Sequence, residues 1–320
     1  MDRRRFVAAM GSALAVPAAW AQQKLARIGV MEFGVPPDSS FVRAYLAGLA
    51  QLGYTDPANM RVERRYAQGS ADRFDEMARD LVASKVALVF TVGNDIAQAA
   101  KKAAPGLTIV TAGSEDPVLS GLIADYRRPG GNVTGVTYLS PQLADKRLEL
   151  LKEAVPGLAQ VAVLWDPAHF DTYYRDMLPA ALALGVKLQL VEARRAEEIE
   201  PAIAAARKAK ADALFVIPSR LFNLSSRRIG DLALAARLPS MAAYANFTDA
   251  GGLMSYGAVA ADMLQRAAAQ TVKILGGAKA GDLPYERATS FELVINLKTA
   301  RTLGVTIPKS VLLRADRVIE

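Results

Sequence analysis

The segment ARIGVMEFGVPPDSSFVRAYLAGLAQLGYTDPANMRVERRY, residues 26–66, decides the fold because it contains both periodicities of an α/β unit. Residues 26–31 form a short apolar run that predicts a strand, residues 41–52 carry apolar side chains at helical spacing, and residues 61–66 predict a second strand. Gly53 follows the predicted helix, where a left-handed cap returns the chain to an extended path. The segment therefore predicts a strand–helix–strand unit with parallel strands.

The same alternation continues as two sets of predicted elements. The first set continues with helices at 72–84 and 96–104 and strands at 87–91, 108–111 and 132–138. The second set has helices at 146–154, 173–184, 199–209 and 225–236 and strands at 161–165, 187–191, 213–217 and 240–243. The later elements, strands at 252–257 and 291–297 and helices at 261–275 and 298–303, are too few for a third domain. We expect them to complete two parallel sheets by crossing between two Rossmann-like lobes of an α/β fold.

The first 21 residues are typical of an export signal. Three arginines at 3–5 precede an apolar run at 6–16, which is too short to span a bilayer, and an Ala-Trp-Ala site follows at 19–21. This pattern predicts cleavage after Ala21 and a periplasmic protein that begins at Gln22. The order Arg-Arg-Arg-Phe-Val resembles a twin-arginine signal, and an ordinary Sec signal is the alternative. A lipid anchor is not predicted, because no cysteine stands near the cleavage point.

Composition excludes several classes of site. The 320 residues contain no cysteine and one histidine, so disulfides, thiolate metal sites and a histidine-built zinc site are not available within one chain. The formal net charge of +7 is mildly basic, and the basic side chains are scattered among acidic ones, so no nucleic-acid partner is predicted. No G-x-G-x-x-G follows a strand and no phosphate-binding P-loop is present, so no cofactor is predicted.

Polar and aromatic residues recur in the loops that follow the predicted strands. In an open parallel sheet, ligands bind outside the carboxyl ends of the strands. The loops concerned are 32–34, 93–95, 113–117, 138–140, 165–167, 218–220 and 244–247. Turn formation and helix capping are the alternative explanation for any single loop. Their recurrence at one topological position favours a cleft that binds a small amphipathic ligand.

Several longer phrases resemble one known family. They are RPGGNVTGV at 128–136, KRLELLKE at 146–153, GGLMSYG at 251–257 and FELVINLKTA at 291–300. With them, the chain resembles the exported substrate-binding proteins of ABC transporters in the tryptophan/tyrosine-binding-like group, which share the periplasmic binding protein type I fold. The resemblance implies three hinge crossings, near 138–141, 255–258 and 289–292, and closure of the lobes on a small molecule delivered to a membrane permease. The lobes are then predicted at 22–138 plus 257–289 and at 139–256 plus 290–320.

The resemblance also implies ligand-binding positions in both lobes. They correspond to Gly93, Asn94, Glu115, Asp116, Tyr138, Asp166, Ser219, Tyr244 and Tyr256. The predicted set also includes aromatic side chains near the same loops, namely Phe33, Phe170, Phe222 and Phe247. The chain departs from many relatives at Gly93-Asn94-Asp95 and at Asp166-Pro167, so ligand identity does not transfer directly. An acidic group in the cleft favours a ligand with an amine, such as an aromatic or other amino acid.

The resulting prediction is a monomeric periplasmic solute receptor without catalysis. One alternative is an exported two-lobe enzyme, for which Asp166 and His169 are the nearest acid and base. A second alternative is a sensory domain that docks on a membrane receptor instead of a permease. Both alternatives share the fold and the export signal, so the sequence leaves them open.

Overall fold

The computed structural model describes residues 25–138, 143–167 and 172–320. Within them the strands are β1 Ala26–Glu32, β2 Met60–Tyr66, β3 Leu88–Val92, β4 Ile109–Gly113, β5 Val133–Thr137, β6 Gln160–Trp165, β7 Lys187–Glu192, β8 Ala213–Val216, β9 Ser240–Ala242, β10 Met254–Ala258, β11 Glu286–Arg287, β12 Phe291–Asn296 and β13 Arg317–Ile319. The helices are α1 Ser40–Gln51, α2 Phe74–Ala83, α3 Asn94–Ala103, α4 Ala144–Ala154, α5 Tyr173–Ala183, α6 Ile199–Lys208, α7 Arg220–Leu224, α8 Ser226–Ala235, α9 Ala245–Asp249, α10 Ala260–Leu275, α11 Leu297–Leu303 and α12 Lys309–Leu312. The predicted signal at 1–21 lies outside the described residues.

The strands form two sheets, each at the centre of one lobe. The first lobe has six parallel strands in the order β11-β5-β4-β3-β1-β2. The second lobe has seven strands in the order β13-β12-β10-β9-β8-β6-β7. Only the pairing of β10 with β12 is antiparallel among the strand pairs of the described residues. The predicted class, two α/β lobes with mostly parallel sheets, is confirmed.

The antiparallel pair follows from the path of the chain. After β10, the chain leaves the second lobe, forms α10 against α1, and adds β11 to the edge of the first sheet. It then returns to the second sheet as β12. Because β12 begins at the same end of the second sheet at which β10 ended, it must run antiparallel to β10. The first of the three crossings leads from β5 to α4, which packs in the second lobe. The lobe boundaries stay a prediction at the level of single residues.

The first lobe is held together across a long sequence distance. The ring of Tyr45 on α1 stacks on Phe90 of β3 with centroids 3.7 Å apart, and both side chains are buried. The Tyr45 hydroxyl is 2.8 Å from Oγ1 of Thr271 on α10. A buried hydroxyl needs such a partner, because an unpaired one loses its hydrogen bonds to water. Helices α1 and α10 therefore cover one face of the first sheet as a joined pair.

A fully buried arginine lies beside the crossing strands of the second lobe. Arg147 on α4 is 0% exposed, and its Nε donates to the carbonyl of Tyr256 on β10 at 2.6 Å. Its guanidinium carbon lies 6.0 Å from the ring centroid of Tyr173. Burial lowers the pKa of Arg147 because a charged guanidinium is poorly solvated there. This side chain ties α4, which follows the first crossing, to the strand that precedes the second.

Some elements differ from the sequence prediction. The short helix α7 occupies part of a predicted loop, because Ser219 caps it with Oγ accepting the Phe222 N–H at 3.2 Å. The last residues form α12 and β13, although no element is predicted after the helix at 298–303. Within residues 25–138, 143–167 and 172–320, no helix is long and apolar enough to cross a membrane.

Candidate functional site

A cavity of about 240 Å³ lies between the lobes, at the carboxyl ends of the strands. The first lobe contributes the loop between β1 and α1, the start of α1 and the end of β3, whereas the second lobe contributes α7 and the start of α9. Its lining is Glu32, Phe33, Gly34, Ser39, Ser40, Phe41, Arg43, Val92, Arg220, Asn223, Leu224 and Asn246. A smaller space of about 40 Å³ between the lobes is lined by Gly93, Ser114, Tyr138, Ser219 and Tyr244 among others, and shares Phe41, Val92, Arg220 and Asn223 with the cavity. The two spaces form one interlobe cleft.

Three aromatic rings meet in the cleft. Phe41 of α1 lies edge-to-face with Tyr244 of the second lobe at 5.8 Å and with Tyr138 at 6.0 Å, measured between ring centroids. Tyr138 and Tyr244 are 5.5 Å apart in the same edge arrangement. The Tyr138 hydroxyl is buried and has no hydrogen-bond partner among the described residues, and burial raises the pKa of Tyr138 well above its usual value. The cluster gives the cleft an apolar wall to which both lobes contribute.

Arg220, the first residue of α7, extends from the second lobe into the first. Its guanidinium carbon lies 4.6 Å from the ring centroid of Phe33 and 5.5 Å from that of Phe74. Its Nη1 forms an ion pair with Asp95 at the start of α3. Burial lowers the pKa of Arg220 to about 10, so the group remains a cation at neutral pH. Arg220 thus places a positive charge at the interlobe surface.

Gly93 leaves space for this arginine. Its φ is +116°, a conformation that favours glycine, and a Cβ added there would lie 3.7 Å from Arg220 Nη1 and 2.9 Å from Asp95 Oδ1. A side chain at position 93 would press against the ion pair between the lobes. The predicted ligand-facing glycine therefore supports the position of Arg220.

Glu32 supplies a carboxyl group to the first-lobe wall of the cavity. It is the last residue of β1, and both carboxylate oxygens accept the Ser39 N–H, at 3.1 and 3.2 Å. Ser39 in turn caps α1, its Oγ accepting the Val42 N–H at 3.3 Å. Burial is the largest cause that raises the pKa of Glu32, and the carboxylate of Asp38 raises it further. The loop from β1 to α1 therefore holds a buried carboxylate against the cavity.

Asn246 places an unpaired acceptor on the second-lobe side. Its Nδ2 donates to Asn223 Oδ1 at 2.8 Å and to Ser226 Oγ at 3.3 Å. Its Oδ1 is buried and accepts no hydrogen bond from the described residues. Glu32 and Asn246 are suited to bind an ammonium or hydroxyl group, and Arg220 is suited to bind an acceptor. With the aromatic wall, these groups can bind a small ligand that is polar at one end and aromatic at the other.

The structure places part of the predicted set at this cleft. Phe33 lines the larger cavity, whereas Gly93, Tyr138, Ser219 and Tyr244 line the smaller space. These residues come from both lobes, as expected of a cleft built from loops at strand ends. Their contact with a ligand stays a prediction.

Other predicted residues are engaged by the protein itself. The buried Asn94 side chain donates to the Glu115 carbonyl at 3.5 Å and accepts from the Tyr285 hydroxyl at 3.5 Å. Asp116 caps its own turn, with Oδ1 accepting the Val118 N–H at 2.8 Å. These contacts hold the loop that follows β4.

Four further predicted residues line neither of the two interlobe spaces. Phe222 and Phe247 are buried in the second-lobe core, behind Ser219. The ring of Tyr256 packs against Phe291 at 6.5 Å. Asp166, after β6, is buried and engaged with other protein groups. Phe170 lies outside the described residues, as does His169 of the alternative acid–base pair, so the ligand role of these positions stays a prediction.

The sequence reasoning did not select several side chains that line the cavity. Glu32, Arg220 and Asn246 stand in the loops predicted at 32–34, 218–220 and 244–247, but the predicted ligand contacts of these loops are other residues, namely Phe33, Ser219, Tyr244 and Phe247. Phe41 was assigned to the apolar face of a helix, and its position as second residue of α1 is what turns it toward the cleft. Asn223 belongs to α7, which the sequence did not predict.

Known proteins share this architecture at modest sequence identity. A tyrosine-binding protein of Clostridioides difficile is 26% identical over 266 residues, which cover 82% of this chain and 76% of that protein. The crystal structure of an ABC domain from Streptococcus pneumoniae in complex with L-Trp has a TM-score of 0.84 and 27% identity, covering 92% of this chain and 99% of that one. A conserved domain protein from Vibrio cholerae has a TM-score of 0.84 and 26% identity, covering 92% and 100%.

The match to a family model extends over both lobes. The model described as ABC transporter substrate binding protein matches residues 37–319, from the loop before α1 to the last strand. The recurrent loops, the two-lobe fold and this match agree, and the chain belongs to the family of ABC transporter substrate binding proteins.

Proposed function

We propose that this protein is an exported receptor of an ABC importer and that it captures an amino acid with an aromatic side chain between its lobes. The observation that carries the proposal is the composition of the interlobe cavity, which combines an aromatic wall with a buried carboxylate. The similarity to a tyrosine-binding protein and to a domain crystallised with L-Trp supports the same ligand class.

The polar groups of the cavity fit an amine. The Glu32 carboxylate lines the cavity and accepts hydrogen bonds from Ser39 alone among the described residues, which leaves lone pairs for a ligand ammonium. Asn246 Oδ1 can accept a second bond from the same group. A ligand ring would lie against Phe33, Phe41 and the groups around them, where edge and face contacts add to the hydrophobic contribution.

The mechanism we propose is closure of the lobes by a hinge. Phe41 of the first lobe contacts Tyr244 of the second, and Arg220 contacts Asp95, so closure forms contacts that an open arrangement would lack. A ligand that touches both lobes binds the closed arrangement better than the open one and shifts the population toward it. The closed receptor, a periplasmic monomer without catalytic activity, would then dock on its inner-membrane permease.

A ligand panel tests the binding proposal. The purified protein is unfolded and refolded to remove bound ligand, and its thermal stability is measured with aromatic amino acids, other amino acids, aromatic acids without an amine, nucleosides and sugars. A ligand at 100 times its Kd adds about 2.7 kcal/mol of stability, a shift of several degrees. Stabilisation by L-tryptophan or L-tyrosine, but not by indole-3-acetate, is the expected result. Stabilisation by sugars alone would refute the proposed ligand class.

A second measurement tests the mechanism. Small-angle scattering with and without the stabilising ligand should show a decrease in the radius of gyration as the lobes close. An unchanged profile at saturating ligand would refute hinge closure and leave the ligand class standing. Recovery of a chemically altered ligand would support the enzyme alternative.

A further inference from the structure

We propose that Arg220 determines specificity for a ligand carboxylate, its free Nε–H binding that group in the interlobe cavity. The inference rests on the proposed function, because it assigns one part of the amino-acid ligand to one residue. It goes beyond that function because it names the residue that makes the protein bind an amino acid more tightly than the amine that lacks only the carboxylate.

The environment of Arg220 fixes the direction of its guanidinium. The side chain is only 15% exposed and lies over the rings of Phe33 and Phe74, with its guanidinium carbon 4.6 and 5.5 Å from their centroids. Nη1 is held by Asp95. A guanidinium that is fixed by an ion pair and two rings has little freedom left, so its remaining donors have defined positions.

One of those donors has no partner. Nε is covered by surrounding protein atoms in this arrangement and makes no hydrogen bond to any described residue. Other atoms of Arg220 line both the larger cavity and the adjoining space. Buried polar groups in folded proteins are nearly always paired, and an unpaired donor on a charged group is especially unfavourable. An acceptor that binds beside Arg220 while the lobes are open, and is enclosed when they close, would satisfy Nε. A carboxylate forms the strongest bond of the common acceptors because the bond is charge-assisted.

The charges around the cavity favour the same orientation of a zwitterion. Glu32, on the first lobe, is the buried carboxylate of the lining, and Arg220, on the second, is a mostly buried cation. The other cation of the lining, Arg43, is exposed to solvent, where its charge is screened. A ligand ammonium near Glu32 would leave the ligand carboxylate to face Arg220. The ion pair with Asp95 leaves Nε unused, so recognition of the carboxylate does not require that pair to break.

The test compares amino acids with amines that lack only the carboxylate. Calorimetry measures the Kd of L-tryptophan and tryptamine, and of L-tyrosine and tyramine, for the wild-type protein and for Arg220→Gln and Arg220→Lys. We expect the wild type to prefer the amino acid by about 10- to 100-fold, the factor that corresponds to one hydrogen bond to a charged group. Arg220→Gln should remove most of this preference by weakening amino-acid binding, with tryptamine and tyramine changed much less. Arg220→Lys, which lacks the Nε donor, should also lose most of it.

Two further variants separate recognition from a simple contact between the lobes. Asp95→Asn removes the negative charge beside Nη1 but keeps a side-chain oxygen that can accept from it, so this variant should preserve the amino-acid preference. Arg228→Gln removes a positive charge from α8, where Arg228 pairs with Glu200 and does not line the cavity, and should leave all four affinities unchanged. Thermal unfolding of each variant establishes that it is folded.

The outcomes distinguish this inference from the proposed function. If the wild type binds the amino acids and Arg220→Gln keeps the full preference over the amines, the assignment of Arg220 is wrong and the proposed function stands. If Arg220→Gln and Asp95→Asn weaken amino acids and amines by the same factor, Arg220 only joins the lobes, and the assignment is again wrong. If the wild type binds neither amino acid, the proposed function has failed.

Discussion

Replacing Tyr244 with alanine should weaken ligand binding while leaving the fold intact. The ring forms edge contacts with Phe41 at 5.8 Å and with Tyr138 at 5.5 Å. An aromatic pair contributes about 0.5–1.5 kcal/mol beyond the area it buries, so the two pairs together contribute about 1–3 kcal/mol. The contact with Phe41 joins the two lobes, so its loss acts on the closed arrangement, and the observed Kd rises even where the ring does not touch the ligand.

The expected change is an increase in Kd of about 5- to 150-fold for L-tryptophan or L-tyrosine, measured by calorimetry. Tyr244→Phe keeps the ring and should stay within a few-fold of the wild type. Tyr54→Ala removes another half-buried tyrosine, which lines a surface pocket at the opposite end of β1 from the cleft, and should not change Kd. Unchanged affinity in Tyr244→Ala, or an equal loss in Tyr54→Ala, would refute the assignment of this ring to the binding cleft.

Three further substitutions test the structure around the cleft. The raised pKa of Glu32 means that the folded protein binds this proton more tightly than the unfolded chain, which adds to the free energy of unfolding fully below pH 4.5 and is lost as pH rises through the raised value. Glu32→Gln should reduce this decrease in the free energy of unfolding with pH, measured by urea unfolding at a series of pH values. The same pH dependence in the wild type and the variant would contradict the prediction. Gly135→Ala would place a Cβ 2.1 Å from the Thr111 carbonyl oxygen and should lower the free energy of unfolding by more than about 3 kcal/mol or prevent folding. Gly106→Ala is the control, because no atom lies within 4 Å of its Cβ position, and equal melting temperatures of the two variants would contradict the predicted clash. Arg147→Ala leaves a fully buried cavity and removes the hydrogen bond from Nε to the Tyr256 carbonyl of β10. We expect the free energy of unfolding, measured by chemical denaturation, to fall by about 2–5 kcal/mol, and a decrease below about 1 kcal/mol would show that the arginine contributes little to stability.

The fold could be predicted from the sequence because its signals are local. A buried parallel strand is a short apolar run, as in residues 26–31, and the amphipathic helix after it has a different period. The antiparallel return of β12 carries no such signal, since strand direction depends on where the chain re-enters the sheet. The residue pattern itself predicted that the later elements cross between the lobes, and the family resemblance added the number and the positions of the hinge crossings.

The site could be predicted only as a set of loops. Sequence position identifies the ends of parallel strands, and the cavity lies there. Which residue of a loop faces the ligand depends on how each turn is capped: Asp116 is used by its own turn, whereas Glu32 accepts from Ser39 and still lines the cavity. The position of Arg220 depends on α7 and on its contact with Phe33 of the first lobe. A contact between residues so far apart in the chain cannot be predicted from the local sequence around Arg220.

The hydrogen bond between Tyr45 and Thr271 joins residues 226 positions apart, which affects how this chain can fold during synthesis. The first lobe cannot cover its sheet until α10 has emerged from the ribosome, and the second sheet is completed only by β13 at residues 317–319. Native contacts of such long sequence separation slow folding because a large loop must close before they form. The first lobe can therefore finish folding only after β11 has been synthesised, and the second only after β13. If the predicted signal is a twin-arginine signal, export would follow the pairing of residues 317–319 with the second sheet, whereas a Sec signal would carry a chain that has not yet formed either lobe.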